Sequence, residues 1–72
     1  MLVQIRQKLD SLSRTEQKVG AWILEHPRQA AGATLREVAA ASGASEPTVV
    51  RFCRHVGVDG FRELTRRLTE AL

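Results

Sequence analysis

The segment Ser42-Gly43-Ala44-Ser45-Glu46-Pro47 constrains this 72-residue chain more than any other. Gly43 supplies the left-handed conformation on which helices commonly end. Two residues on, Ser45 is suited to cap a new helix and Glu46 favours the positive helix start. Pro47 is tolerated in a first turn because its missing N–H has no partner there. One helix therefore ends and another begins within about three residues, and helices joined so tightly must cross steeply. That crossing needs a small residue at the contact and apolar residues facing inward. Counting Leu35 as the first position, Ala39 is fifth, Gly43 ninth, Val49 fifteenth and Phe52 eighteenth, so each demand is met in register. The spacing predicts a helix-turn-helix over residues 35–56, with 46–56 as its second helix.

The flanking sequence is helical as well. Leu2, Ile5, Leu9 and Leu12 recur at spacings of three and four, an amphipathic first helix. Ser13 and Glu16 form a capping box that opens a second helix, with Val19, Trp22, Ile23 and His26 on its inward stripe and Pro27 as its stop. Residues 28–33 read as a connection with room for one helical turn. Thr34 and Glu37 form a second capping box, and Leu35, Val38 and Ala39 face inward from the third helix. In the fourth helix Val49, Phe52, Cys53 and Val56 share one side, and Gly57 closes it. Asp59 or Gly60 caps a last helix in which Phe61, Leu64, Leu68 and Leu72 repeat at helical spacing. The expected fold is an all-α, compact five-helix domain over 1–72, without a wing, because "VGVDGFREL" runs into a helix instead of a hairpin. The first helix, or the last through Leu64, Leu68 and Leu72, offers a partner surface.

Several function classes fall away. The charges at Arg6, Lys8 and Asp10 interrupt any signal-peptide core, and no apolar run approaches the length of a membrane span, so the expected location is the cytoplasm. Cys53, the single cysteine, reads as a small buried hydrophobe. His26 and His55 lie on different segments with no other ligand at metal spacing, so neither a metal nor a cofactor is expected. No nucleophile with its base and no phosphate-binding glycine loop is present, and the chain reads as a non-enzyme.

The net charge is +3 with a pI near 10.0, a balance suited to polyanions or simply to a solvated basic surface. The geometry of the fourth helix favours the former. With Val49 and Phe52 inward, a rotation of about 100° per residue turns Pro47, Val50, Arg51 and Arg54 outward and leaves Thr48 and His55 on the flank. In a helix-turn-helix this face lies in the major groove. Arg51 is the expected base contact, since its fork can bond guanine O6 and N7 together. Ser45 and Thr48 are expected to bond phosphate or a base edge, Glu46 and Pro47 to lie in the contacting turn, Val50 to meet a thymine methyl, and Arg54 and His55 to meet the backbone. The competing readings are a pure N-cap role for Ser45, solvated surface arginines, and a helical protein-interaction module without DNA binding. A docking helix needs a second apolar stripe, and the outward face supplies only Val50. RNA binding lacks exposed aromatic residues for stacking.

The stretch "ATLREVAAASGASEPTVVRFCRHVGVDGFREL", preceded by "LSRTEQKVGAWILEHP", resembles the N-terminal DNA-binding domain of RpiR-family bacterial transcriptional regulators. Ser45, Glu46, Thr48, Val49, Arg51, Phe52 and Arg54 match that family's recognition segment. Within it, "SEPTV" and "RFCR" are most similar to members that repress glucose and hexose catabolism. Val50 departs from the polar residue many of them carry, so no operator sequence is transferred. Gly32 and Ala33 stand where bulkier apolar residues are common. The resemblance implies a homodimer on a palindromic operator in double-stranded DNA. It further implies a sugar-isomerase-like domain following this one, which binds a phosphosugar effector.

Overall fold

A computed structural model describes residues Met1–Leu72 as an all-helical unit. α1 spans Leu2–Lys8 and runs into a 3-10 turn over Leu9–Ser11. α2 spans Arg14–Glu25, α3 Pro27–Ala31, α4 Leu35–Ser42, α5 Glu46–His55 and α6 Phe61–Ala71.

The helix starts follow from short side chains that satisfy free backbone donors. Ser13 Oγ accepts from the Glu16 N–H at 3.3 Å while Glu16 Oε1 accepts from the Ser13 N–H at 3.2 Å. Thr34 and Glu37 reproduce the box at 3.1 and 2.8 Å. The ends are equally local. Gly43 takes φ 79°, and the Ala44 N–H then closes a 3.0 Å bond on the Ala39 carbonyl. α5 ends the same way: Gly57 has φ 95° and the Val58 N–H reaches the Cys53 carbonyl at 2.9 Å.

α2 is the central element. α1, α3, α4 and α5 all pack on it, and α6 covers α3 and α5. Phe52, Ile5, Ile23, Leu64, Leu68, Val19, Val38, Val49 and Cys53 are fully buried and form one core. Gly20 of α2 is buried with side chains packed directly over its backbone. A Cβ there would lie 2.7 Å from Leu9 Cδ1 and 3.3 Å from Phe52 Cε1, so the bare backbone lets α5 seat against α2.

Three expectations are corrected. The α-helices number six and not five, because the one turn allowed for between residues 28 and 33 is a helix in its own right, α3: Pro27 ends one helix and starts the next, sitting at a first helical position where its missing N–H costs nothing. Ala30 buries this short helix against α6. His26 is exposed rather than on the inward stripe, its ring centroid 5.5 Å from that of Trp22, which is half-buried. Leu64 and Leu68 belong to the core of this chain, so α6 offers a partner only Leu72 from the expected set. The fold is otherwise the all-α, wingless helix-turn-helix read from the sequence. No helix is long and apolar enough to cross a membrane.

Candidate nucleic-acid interface

The α4–turn–α5 unit sets the geometry of the site. Gly43, Ala44 and Ser45 alone separate the two helices, and buried Val38 and Ala39 of α4 meet Val49, Phe52 and Cys53 of α5 in the core. Burial pushes the Cys53 thiol up to about 11, so it stays protonated at neutral pH and behaves as a small hydrophobe. Five inward side chains thus fix the rotation of α5 and determine which residues it turns outward.

Pro47, Arg51, Arg54 and His55 are exposed on that outward side, as are Ser45 and Glu46 at its start. Val50 is half-buried, so only part of its surface is free. Four ion pairs occur in the molecule, and none involves Arg51 or Arg54. By contrast Arg66 and Arg67 on α6 are paired with Glu70 at 2.9 Å and Glu63 at 2.8 Å. Glu46 lies 3.9 Å from Arg36, an exposed pair of little energetic weight. Arg51 and Arg54 thus stand on the outward side of α5 without a carboxylate partner. Arg54 and His55 also complement the negative end of the α5 dipole.

Ser45 caps α5, its Oγ accepting from the Thr48 N–H at 3.2 Å. Thr48 departs from expectation. It is 5% exposed, and its hydroxyl is engaged by Ser45 Oγ at 2.9 Å and Arg51 Nη2 at 3.1 Å, so its side chain is not available to bond phosphate or a base edge directly. The turn from Val49 to Thr48 carries it under the Arg51 side chain instead of onto the flank.

His55 is on the flank, and its Nδ1 lies 3.0 Å from Glu16 Oε1. Glu16 is 3% exposed and also holds the α2 capping box, so one carboxylate joins the start of α2 to the end of α5. Burial would raise the Glu16 pKa, but the hydrogen bonds from His55 and Ser13 prevail and hold it below 4.5. Beside this link Ser11, Ser13, Thr15, Arg51 and His55 line a polar groove. The capping pattern shows where Glu16 sits on α2, but its partner is 39 residues away and carries no local signal.

A profile described as "Helix-turn-helix domain, rpiR family" matches residues 1–72. The HTH-type transcriptional regulator HexR of Pseudomonas aeruginosa is 43% identical over 72 residues, which is 100% of this chain and 25% of that protein. HexR of Escherichia coli is 38% identical over 72 residues, again 100% of this chain and 25% of that protein. The chain thus spans about a quarter of these relatives. Among solved structures, the Vibrio vulnificus NanR protein complexed with ManNAc-6P superposes with a TM-score of 0.93 at 30% identity, covering 97% of this chain and 27% of that one. The N-terminal domain of ybbH from Bacillus subtilis gives 0.91 at 32% identity, covering 94% of this chain and 83% of that one.

Proposed function

The chain belongs to the rpiR family of helix-turn-helix domains, and from that premise we propose that it binds double-stranded DNA sequence-specifically for a bacterial transcription regulator of sugar or central carbon metabolism. The observation that carries the reading is the outward face of α5, where Arg51 and Arg54 stand free of carboxylates above a helix whose other side is locked in the core. In the major groove Arg51 bonds a guanine edge, Pro47 and the free part of Val50 give apolar contact to a neighbouring thymine methyl, and Ser45, Arg54 and His55 meet phosphates. Glu46, as an acceptor at the start of the helix, faces a cytosine amino group. The regulator works as a homodimer on a palindromic operator, and a phosphosugar governs it through a domain other than this one. The HexR names and the NanR complex with ManNAc-6P support the metabolic part of the proposal.

The test is selection of duplexes from a random pool by this domain, followed by titration at several salt concentrations. An enriched motif whose affinity falls steeply with salt is the expected result. Arg51→Ala should then lower specific binding by about 1–3 kcal/mol and relax preference at one base pair, while Arg54→Ala weakens all duplexes alike and reduces the salt slope by about one unit. A pool that shows no enrichment, even when the domain is artificially dimerised, rejects DNA reading in favour of a protein-docking role for α5.

A further inference from the structure

The start of α5 holds three polar side chains spaced three residues apart. Thr48 Oγ1 lies 2.9 Å from Ser45 Oγ and accepts from Arg51 Nη2 at 3.1 Å. Ser45 and Arg51 are exposed, whereas Thr48 is buried. A buried hydroxyl that already accepts one hydrogen bond still needs an acceptor for its own hydrogen, because leaving it unmade carries the full desolvation penalty. Ser45 Oγ is within reach, so the bonds run in one direction: Arg51 donates to Thr48, and Thr48 donates to Ser45. Ser45 Oγ also accepts the Thr48 N–H at 3.2 Å, which leaves its own hydrogen for a group outside the protein.

We propose that Thr48 is a positioning residue for base recognition, acting through Arg51 and touching no DNA itself. The proposal rests on the reading of Arg51 as the base contact. Arginine has a long flexible stem, and ordering it on binding costs affinity. Thr48 is β-branched, with few χ1 rotamers open to it, and is buried, so a bond to it orders the guanidinium during folding instead of at the operator. Only one of the five guanidinium N–H groups is used, and the four that remain include enough for a two-pronged contact with guanine. Arg54, three residues on, shares no such bond. A phosphate contact tolerates that looseness because it reads charge more than direction.

The experiment uses a duplex enriched by the wild-type domain and single-base-pair variants of it. Thr48→Val keeps the shape and removes the hydroxyl; Thr48→Ser keeps the hydroxyl. Thr48→Val should lose about 3- to 10-fold in discrimination between the enriched duplex and its variant at the Arg51 base pair, with affinity for random duplex unchanged. Thr48→Ser should restore discrimination, and in an Arg51→Ala background Thr48→Val should change nothing further. Full discrimination in Thr48→Val, or an equal loss in both backgrounds, overturns the positioning role. Discrimination that survives Arg51→Ala overturns the base-reading assignment beneath it, so the two failures are distinguishable. A second measurement needs no variant. In the DNA-free wild-type protein, NMR relaxation should show the Arg51 Nε–H more ordered than that of Arg54, and equal mobility of the two overturns the proposal.

Discussion

Glu16 joins two parts of the site through a single oxygen. Its Oε1 accepts from the Ser13 N–H and from His55, so the cap of α2 and the last turn of α5 share one acceptor in a buried position. Because its folded pKa lies below the ordinary 4.5, the ionised form stabilises the fold, fully above the unfolded-state value. That stabilisation is lost as pH falls through the lower folded value. Thermal melts of the wild type and Glu16→Gln should therefore converge as pH falls through the lowered Glu16 value, the wild type being the more stable at pH 7. A constant difference in melting temperature across that range removes Glu16 from the acid response. Such a link is invisible to pattern reading. The box at Ser13 and Glu16 follows from a three-residue spacing, whereas the His55 contact exists only once α5 lies across α2.

At the scale of elements, local and non-local causes separate cleanly. The helix-turn-helix was legible because its boundaries are set by neighbours in sequence: Thr34 with Glu37, Gly43 with Ala39, Ser45 with Thr48. The helix α3 was legible only as room for one turn, since five residues form no stable helix alone and this one persists by packing on α6. The close seat at Gly20 and the inward position of Thr48 depend likewise on how α5 and α2 meet. The turn itself is open to a clean test. A Cβ at Gly43 meets nothing within 4 Å, so a substitution there acts only through φ. Gly43→Ala should destabilise by about 1–2 kcal/mol and Gly43→Asn by distinctly less, as read in urea unfolding. Equal losses from both would show that the left-handed backbone is not the cause.

The whole molecule measures 26 × 24 × 22 Å. Helix-turn-helix dimers place half-sites about 34–36 Å apart, so two copies fit on one face of a duplex without overlap. Joining two copies by a flexible linker long enough to span that distance should raise affinity for a palindromic site by on the order of 10² or more, with little change for a single half-site. Equal gains on both duplexes would count against two-fold reading. The split character of α5 extends this beyond a single operator. Val49, Phe52 and Cys53 carry the packing, while Pro47, Arg51 and Arg54 are exposed and lie outside the hydrophobic core. On the proposed function, exchanges among the outward three should leave folding nearly untouched while redirecting which sequence is bound. Such a scaffold can acquire new binding sites by drift in a few codons, with Thr48, tied to both sides of the helix, as the residue least free to follow.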